Sequence, residues 1–222
     1  MSTVLVVGAS RGIGLEFVRQ YRAAGFEVAA SARDDEGLAH LAALGACALR
    51  LDVVADDAAA SLAAQLGGLR FDTAIYNAGV YGPRSAGLEA PTAVEFDATM
   101  HTNVLGAMRL LPQIAKALAP GARLAVLSSR MGAIGPRTSA SGWLYRASKA
   151  ALNSVLKDVS LTLEGRAVCV ALHPGWVRTD MGGSSADLEV SASVADLRRL
   201  LAGLQPADNG RFLNHDGSPI GW

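Results

Sequence analysis

A tyrosine and a lysine stand four residues apart in the segment Tyr145-Arg146-Ala147-Ser148-Lys149. If the segment is helical, the phenol and the ammonium group share one face and lie about one turn apart. A cation at that distance stabilises a phenolate and lowers the pKa of Tyr145 from about 10 toward the neutral range. Such a tyrosine can protonate an oxygen atom on which negative charge develops, as in the reduction of a carbonyl group. The pair alone is weak evidence, because both residue types are common on exposed helix faces.

Further polar residues can assist a proton transfer of this kind. Ser129 follows a predicted strand, and its hydroxyl can hydrogen-bond a substrate oxygen. Ser128 competes with it, because successive side chains of a strand point to opposite faces. Asn103 lies inside a predicted helix, where asparagine is unfavourable, so it is either a tolerated surface residue or one with a function. His173 ends another strand without an accompanying nucleophile pattern, and we interpret it as a packed histidine.

A glycine-rich turn joins the first predicted strand to the first predicted helix, with the sequence Val7-Gly8-Ala9-Ser10-Arg11-Gly12-Ile13-Gly14. Its glycines allow a close approach of the backbone to a pyrophosphate, and the helix start offers unpaired N–H groups. An ordinary turn has the same composition, and the spacing differs from the commonest dinucleotide fingerprint. The position of the turn after the first strand of an alternating pattern favours a dinucleotide site.

These residues are predicted to lie on alternating strands and helices. Short apolar runs predict strands at residues 3–7, 27–31, 46–51, 73–76, 123–128, 167–173 and 210–214. Helical spacing predicts helices at residues 13–24, 34–44, 56–66, 92–118, 145–163 and 194–204, with a capping box at Thr92 and Glu95, a kink at Pro112 and a mobile loop at residues 181–190. We predict an α/β fold with one domain over residues 1–222, a three-layer sandwich around a mostly parallel seven-stranded sheet. Ligands bind at the carboxyl ends of such strands, where the candidate residues fall.

The composition argues against several classes of function. The 222 residues include 20 basic and 20 acidic side chains without a basic cluster, so no nucleic-acid partner is expected. No apolar run reaches the roughly 18 residues of a membrane span and no leader is apparent, which predicts a cytoplasmic protein without membrane contact. Cys47 and Cys169 are predicted to be buried free thiols. The sequence contains no Cys/His cluster, so no metal site is expected. A small molecule is the expected partner.

Five segments resemble, in order, the motifs of the short-chain dehydrogenase/reductase family. They are the glycine-rich turn, Asn77-Ala78-Gly79, the spacing Ser129-x-x-Gly132, the spacing Tyr145-x-x-x-Lys149, and Pro174-Gly175. The family usually has Thr at the position of Val7 and Asn at that of Tyr76, so this chain lacks those two polar side chains. Residues 145–153 and 173–183 are most similar to the branch of the sniffer-type carbonyl reductases and the C-signal proteins. The resemblance covers the chain and implies a Rossmann-like fold.

The resemblance implies roles for individual residues. Tyr145 would be the catalytic acid/base and Ser129 would orient the substrate carbonyl. Lys149 would also hold the nicotinamide ribose, and Asn103 would lie in a helix bulge that holds a water molecule against Lys149. Asp52 would receive the adenine amino group, unless it caps the next helix. Besides Tyr145 and Lys149, the implied cofactor contacts are Gly8, Ser10, Arg11, Gly12, Ile13, Gly14, Arg33, Leu51, Asp52, Val53, Asn77, Ala78, Gly79, Pro174, Gly175, Val177 and Thr179.

The end of the second predicted strand indicates which dinucleotide is preferred. Ala32 stands where an acidic residue would bind the ribose of NAD, and Arg33 follows it, which favours a 2′-phosphate. Arg11 is expected to converge with Arg33 on this phosphate. Alternatively, Asp34 or Asp35 binds the ribose, although we favour a helix-capping role for them. We therefore predict NADP(H) in preference to NAD(H), with no metal.

The predicted function is that of an NADPH-dependent oxidoreductase that reduces a small aldehyde or ketone, or oxidises the matching alcohol. An open pocket lined by Tyr81, Trp143, Trp176 and Met181 is expected. The alternative is an NADP(H)-binding signalling or redox-sensing protein with little turnover, which the similarity to C-signal proteins suggests. Relatives pair through helices like those at residues 92–118 and 145–163, so the resemblance implies a homodimer or homotetramer.

Overall fold

The strands form one sheet in the computed structural model, which describes residues 2–85 and 87–222. They are β1 (Thr3–Val7), β2 (Glu27–Ala32), β3 (Cys47–Arg50), β4 (Phe71–Tyr76), β5 (Leu118–Leu127), β6 (Ala167–His173) and β7 (Arg211–Asn214). Their order is β3-β2-β1-β4-β5-β6-β7, and every neighbouring pair is parallel. The predicted seven-stranded α/β fold is confirmed, and the sheet is wholly rather than mostly parallel.

Helices connect the strands and cover both faces of the sheet. They are α1 (Gly12–Ala23), α2 (Asp35–Ala43), α3 (Ala58–Leu66), α4 (Ala93–Met100), a π-helical segment (His101–Leu105), α5 (Gly106–Lys116), α6 (Trp143–Thr162) and α7 (Val190–Gly203). Apolar residues of α1, α2 and α7 form one core cluster, and those of α3, α5 and α6 form the other. Among the helices of the described ranges, none is long and apolar enough to cross a membrane.

The side chains of β1 show how the three layers are built. Val4 and Val6 belong to the cluster that contains Phe17 of α1, whereas Leu5 belongs to the cluster that contains Leu110 of α5. All five side chains are fully buried. A strand covered on both faces has a continuous apolar run, as residues 4–7 have, and each such side chain contributes about 1.5–3 kcal/mol on burial.

The long helix predicted at residues 92–118 is divided. Thr92 and Glu95 form the predicted capping box at the start of α4. The π-helical segment follows α4 directly, and α5 contains Pro112. Leu118 lies in β5 rather than in the helix, because it pairs with Phe71 of β4. The predicted loop at residues 181–190 is also shorter, since α7 begins at its last residue.

The two cysteines lie in different environments. Cys169 lies in β6 and is buried, and burial raises the pKa of its thiol to about 12. Cys47 is exposed, so the prediction that both thiols are buried is wrong for this residue. Cys47 begins β3, which is at the edge of the sheet and buries little of its length.

Candidate active site

The predicted site residues follow the carboxyl ends of the central strands. Gly8 follows β1, Asn77 follows β4, and Ser129 comes shortly after β5. From β1 the chain moves outward through β2 and β3, and it then returns to the other side of β1 as β4. Such a reversal leaves a crevice outside the strand ends, where open α/β sheets bind ligands. The topology therefore brings motifs from distant parts of the chain to one crevice.

The glycine-rich turn packs against the segment after β4. Gly8 has φ +85°, and a side-chain carbon at Gly8 would lie 2.7 Å from the backbone of Ala78. Asn77 Nδ2 donates a hydrogen bond of 2.6 Å to the carbonyl oxygen of Gly8. A side-chain carbon at Gly14 would lie 2.2 Å from that oxygen, so α1 approaches the turn this closely only with glycine there. The structure thus brings these four predicted residues into mutual contact.

The first turn of α1 can accept an anion. Arg11 precedes this helix, and its side chain does not cap the first-turn N–H groups. Gly12 faces the loop after β6, because a side-chain carbon at Gly12 would lie 3.5 Å from Cγ2 of Thr179. Ser10 and Ile13 flank this entrance along the chain. A pyrophosphate fits an uncapped helix start, where the N–H groups and the partial positive charge attract it.

The carboxylates after β2 are engaged within the protein. Asp34 Oδ1 accepts a hydrogen bond of 2.9 Å from the N–H of Gly37 and caps α2, in agreement with the role we favoured. Asp35 forms an ion pair with Arg50 of β3, and Arg50 also donates a hydrogen bond of 3.3 Å to the carbonyl of Arg33. The Arg33 side chain is 73% exposed and lies 3.9 Å from Asp34. Its guanidinium therefore remains accessible to a ligand.

Arg11 was predicted to converge with Arg33 on one phosphate, but it is bound to a carboxylate. Its Nη1 donates a hydrogen bond of 2.9 Å to Oδ2 of Asp180, and both side chains are more than three-quarters exposed. The contact between Gly12 and Thr179 explains this arrangement, since it places Asp180 beside the glycine-rich turn. The ion pair therefore links the glycine-rich turn to the loop after β6.

The residues after β3 lie beside the end of β2. Leu51 is buried, and its N–H donates a hydrogen bond of 2.9 Å to the carbonyl of Ala32. Val53 is half-buried. Asp52 is exposed, and its Oδ1 accepts a hydrogen bond of 3.2 Å from the N–H two residues later. Because α3 begins only at Ala58, Asp52 does not cap this helix.

Tyr145, Ser129 and Lys149 converge beyond the end of β5. Tyr145 lies in the first turn of α6 and is only 7% exposed. The Ser129 hydroxyl lies close enough to the Tyr145 phenol to lower its pKa. Lys149 Nζ lies 5.8 Å from the centroid of the Tyr145 ring and donates a hydrogen bond of 2.8 Å to the carbonyl of Leu127. The predicted proximity of the phenol and the ammonium group is therefore present.

The two adjacent serines face opposite sides, which distinguishes them. Ser128 donates a buried hydrogen bond to Oδ1 of Asn153 in α6. Ser129 faces Tyr145, and its Oγ accepts a hydrogen bond of 3.2 Å from the N–H of Met131. Ser129 is therefore the serine that the structure brings to Tyr145.

Burial changes the proton affinity of both Tyr145 and Lys149. It raises the pKa of Tyr145 to about 12, although the neighbouring Ser129 hydroxyl acts in the opposite direction. It lowers the pKa of Lys149 to about 8. The sequence predicted a lowered pKa for Tyr145, and this prediction is wrong in direction. Desolvation of the phenolate dominates, because the Lys149 ammonium group is turned toward the carbonyl of Leu127.

Asn103 lies in the π-helical segment, which confirms the predicted helix bulge. Its Oδ1 accepts a hydrogen bond from the N–H of Val80, and its Nδ2 donates to the carbonyl of Val80 and to Oγ of Ser148, each over 2.8 Å. A side-chain carbon at Gly79 would lie 3.2 Å from Asn103 Oδ1 and 3.3 Å from Lys149 Nζ. Asn103 thus connects the segment after β4 to α6 and borders the same space as Lys149.

The turn after β6 faces the glycine-rich turn. The carbonyl of Pro174 accepts a hydrogen bond from α7, and a side-chain carbon at Gly175 would lie 3.1 Å from Leu188. Val177 is buried and pairs with Leu188. Thr179 Oγ1 accepts a hydrogen bond of 3.1 Å from the N–H three residues later. The pairing of Val177 with Leu188 anchors part of the loop at residues 181–190, which was predicted to be mobile.

His173 ends β6 and is partly buried. Burial lowers the pKa of its imidazole to about 4, and the nearby charges of Arg130 and His215 lower it further. The ring is therefore neutral at pH 7. This environment agrees with our interpretation of His173 as a packed histidine.

Four residues were expected to line an open pocket, and one of them, Tyr81, lies against the ring of Tyr145. The ring of Tyr81 stacks on that of Tyr145, with centroids 4.5 Å apart and 20° between the planes. Trp143 is half-buried, and Met181 is 40% exposed. Trp176 is 50% exposed, and its Nε1 donates to a carbonyl of its own loop. Of the four expected lining residues, Tyr81 therefore lies directly beside Tyr145, and the open pocket stays a prediction.

Four residues contact the site without having been singled out in the sequence. Ser31 Oγ accepts a hydrogen bond of 3.0 Å from the glycine-rich turn. Ser148 links Asn103 to α6 and donates a hydrogen bond of 2.8 Å to the carbonyl of Tyr145. Ser148 lies within the spacing Tyr145-x-x-x-Lys149, and this position is a local signal that could have identified it. Arg50 and Asp180 carry no such signal, because their partners are distant along the chain.

Several known proteins resemble this chain. The profile of the short chain dehydrogenase family matches residues 2–189. The C-signal of Myxococcus xanthus is 39% identical over 154 residues, which cover 68% of this chain and 92% of that protein. The carbonyl reductase Sniffer of D. melanogaster is similar in structure, with 31% identity and a TM-score of 0.90 over 100% of both chains. A carbonyl reductase from Pseudomonas aeruginosa PAO1 in complex with NADP has 35% identity and a TM-score of 0.89, also over 100% of both chains.

These similarities agree with the order of the motifs along the chain. The family profile spans all of the motifs from the glycine-rich turn to the segment after β6. The structural similarity extends over the sheet and all of its helices. The chain belongs to the short-chain dehydrogenase/reductase family, in the branch of the sniffer-type reductases and C-signal, and it is an oxidoreductase acting on CH–OH or C=O groups.

Proposed function

We propose that this chain is an NADP(H)-dependent carbonyl reductase that reduces a small aldehyde or ketone, or oxidises the matching alcohol. The observation that carries the proposal is the convergence of Tyr145, Ser129 and Lys149 beside the glycine-rich turn. The similarity to two carbonyl reductases, one of them in complex with NADP, supports it. A small molecule is then the partner of the crevice at the strand ends.

The described residues fit NADP(H) along the crevice. The uncapped start of α1 would hold the pyrophosphate, and the exposed guanidinium of Arg33 would hold the 2′-phosphate. The residues at the end of β3, with Asp52, would contact the adenine, and Thr179 would contact the carboxamide end. Preference for NADP(H) over NAD(H) follows because Asp34 and Asp35 already have partners within the protein. When bound, NADPH supplies the hydride that reaches the carbonyl carbon.

Tyr145 is proposed to donate its hydroxyl proton to the carbonyl oxygen. Arrival of the hydride at carbon leaves an electron pair on that oxygen, which takes the proton as the O–H bond of Tyr145 breaks. The pKa of about 12 keeps the phenol protonated at neutral pH, so the donor form is populated. The hydroxyl of Ser129 lies beside the Tyr145 phenol and is proposed to hold the same substrate oxygen.

Lys149 is proposed to stabilise the phenolate that remains on Tyr145. Its pKa of about 8 means that the ammonium form predominates below pH 8 and is lost above it. Carbonyl reduction should therefore slow as the pH rises through about 8. Asn103 acts as a positioning residue, because it fixes the segment after β4 next to Lys149.

The test follows oxidation of NADPH and NADH with a panel of aldehydes, ketones and quinones. We expect Tyr145→Phe to lower kcat at least about 100-fold, the typical contribution of a positioned acid. We expect Arg33→Ser to weaken the preference for NADPH by about tenfold, through loss of a charge-assisted hydrogen bond. Arg70→Ser, at the amino end of β4, serves as the control for a lost surface charge.

Two outcomes would contradict the proposal. Equal activity in Tyr145→Phe would remove the proton donor from the mechanism. Binding of NADPH without turnover of any carbonyl would favour the alternative function, an NADP(H)-binding signalling or redox-sensing protein. The sequence identity to C-signal is the observation behind that alternative.

We also propose that the chain forms a homodimer or homotetramer. Large apolar side chains are exposed on the helices that cover one face of the sheet: Val94 and Phe96 on α4, Met108 on α5, and Leu161 on α6. Exposed apolar side chains on neighbouring helices favour association. A mass in solution of two or four times 22.9 kDa supports this proposal, and a monomer contradicts it.

A further inference from the structure

A buried arginine follows Tyr145 directly in the first turn of α6. Arg146 is only 7% exposed. Its Nε donates a hydrogen bond of 2.7 Å to the carbonyl of Ser141, and its Nη2 donates one of 2.7 Å to Oγ of Ser139. Both acceptors are neutral. Among the residues that the structure describes, no carboxylate forms an ion pair with Arg146, although a buried cation is unfavourable without one.

Two further arginines lie on the same side of the crevice. Burial lowers the pKa of Arg146, and the nearby charge of Arg137 lowers it further. The guanidinium carbon of Arg84 lies 5.1 Å from the centroid of the Tyr81 ring. Neither Arg84 nor Arg137 forms an ion pair with a carboxylate of the described ranges. These three residues, the rim arginines, therefore concentrate positive charge at one edge of the proposed active site.

Tyr81 connects the rim arginines to Tyr145. The centroids of the two tyrosine rings are 4.5 Å apart. The Tyr81 hydroxyl lies near Gly142, because a side-chain carbon at Gly142 would lie 2.6 Å from this oxygen, and the N–H of Arg146 donates a hydrogen bond of 3.0 Å to the carbonyl of Gly142. A negative charge on the Tyr81 oxygen raises the pKa of Arg146. An anion at this place, beside Tyr145, therefore stabilises the buried guanidinium.

We propose that the substrate is an oxo acid, whose carboxylate binds Arg146 and Arg137 while its carbonyl group reaches Tyr145. A carboxylate accepts a hydrogen bond from a guanidinium more strongly than the hydroxyl of Ser139 does, and it supplies the negative charge that Arg146 lacks. Arg146 and Arg137 are then specificity-determining residues, and the charge of Arg84 adds to the attraction of the anion. This inference rests on the proposed function of the site.

A purely structural role is the alternative for Arg146. Its bonds to Ser139 and Ser141 fix the loop before α6, and loss of this loop would impair the reduction of charged and neutral substrates alike. A carboxylate site instead affects only the substrate that carries the charge. A pair of substrates that differ in charge alone therefore separates the two roles.

The test compares kcat/KM for the semialdehydes of succinate, adipate and suberate with kcat/KM for their methyl esters, with NADPH as the reductant. Each acid and its ester have the same aldehyde group and the same chain, and the three lengths vary the separation between carbonyl and carboxylate. Arg146→Met and Arg137→Met each remove one cation and retain the length of the side chain. Arg70→Met is the matched control, because Arg70 is exposed at the opposite end of β4 and also donates to backbone carbonyls.

In the wild type we expect the acid to exceed its ester in kcat/KM by at least about tenfold at one of these lengths, as a charge-assisted hydrogen bond predicts. Arg146→Met should lower this acid-to-ester ratio by about ten- to a hundredfold. Arg137→Met should lower it by about two- to fivefold, which is the range of an exposed ion pair. Arg70→Met should leave the ratio unchanged.

A wild-type ratio near one at every chain length overturns the inference. An equal loss for acid and ester in Arg146→Met overturns the carboxylate site and leaves Arg146 a structural role. Arg137→Met keeps the inference testable if Arg146→Met does not fold, since Arg137 is exposed. In these cases the wild type still reduces the esters with NADPH and the proposed function stands, whereas absence of NADPH oxidation with every carbonyl overturns both.

Discussion

Lys149 carries a charge where the surroundings disfavour one. It is 4% exposed, and its Nζ donates a hydrogen bond to the carbonyl of Leu127. Burial lowers the pKa of Lys149 to about 8, compared with 10.5 for an exposed lysine. Below pH 8 the amine is protonated in both the folded and the unfolded chain, so the folded state bears the whole cost of the buried charge. Between pH 8 and 10.5 the unfolded chain binds more protons, and stability rises with pH.

We expect Lys149→Met to be more stable than the wild type at pH 7, by on the order of 1–3 kcal/mol in the free energy of unfolding. Methionine fills a similar volume without a charge. The advantage of the variant should shrink by pH 9.5, because the wild type gains stability over that range. Urea unfolding at both pH values measures this, and the same variant should lose carbonyl reduction.

Lys157→Met is the matched control, since Lys157 is exposed on the same helix. Its free energy of unfolding should stay close to that of the wild type at both pH values. A stability difference for Lys149→Met that does not change with pH would show that the buried ammonium group is not its cause.

At the scale of elements, the π-helical segment joins two parts of the site. The widened turn carries Asn103, whose amide hydrogen-bonds both the N–H and the carbonyl of Val80. The same amide donates to Ser148 of α6. π-Helical turns are rare and occur mostly at functional sites. Here the π-helical segment fixes the segment after β4 against α6. Removal of this amide takes a hydrogen-bond partner from the part-buried N–H and carbonyl of Val80 and from the buried hydroxyl of Ser148.

Asn103→Leu should destabilise the protein by about 2–4 kcal/mol, because part-buried backbone groups of Val80 and the buried hydroxyl of Ser148 lose their hydrogen bonds to the amide. We also expect faster hydrogen exchange at the amide of Val80. His101→Gln, an exposed change in the same π-helical segment, should alter neither quantity. A fully protected Val80 amide in Asn103→Leu would show that another group holds this segment.

Local patterns predicted most of the elements and the positions of the motifs. Asn103 was recognisable because asparagine is unfavourable inside a helix, and the capping box at Thr92 identified the start of α4. The stack of Tyr81 on Tyr145 was not recognisable, because it depends on how two loops meet. The predicted direction of the pKa shift at Tyr145 was wrong for a similar reason, since burial is a property of the folded chain.

At the scale of the whole molecule, Arg11 and Asp180 are 169 positions apart in the chain and form an ion pair across the crevice. If Arg11 also contacts the 2′-phosphate, Asp180 and NADPH compete for it. Asp180→Asn should then tighten NADPH binding by about two- to fivefold at low salt, which is the range of an exposed ion pair. Titrations of NADPH and NADH measure this, and the effect on NADH should be smaller.

High salt should reduce the difference between Asp180→Asn and the wild type, because the charges are exposed and are screened. Asp187→Asn, in the same loop and also exposed, is the control. Weaker binding of NADPH in Asp180→Asn would mean that the ion pair organises the crevice instead of competing with the cofactor.

The same pair also bears on how quickly a used cofactor departs. Asp180 is tethered beside Arg11, so its local concentration stays high whatever the solution contains. If Arg11 does contact the 2′-phosphate of the bound cofactor, departure of NADP⁺ is an exchange in which the carboxylate of Asp180 replaces the phosphate at the Arg11 guanidinium. Such an exchange shortens the residence time of the product, and product release limits turnover in many enzymes. Under that condition, the proposed function gives Asp180 a second role, in which its tethered carboxylate promotes release of the oxidised cofactor in each cycle.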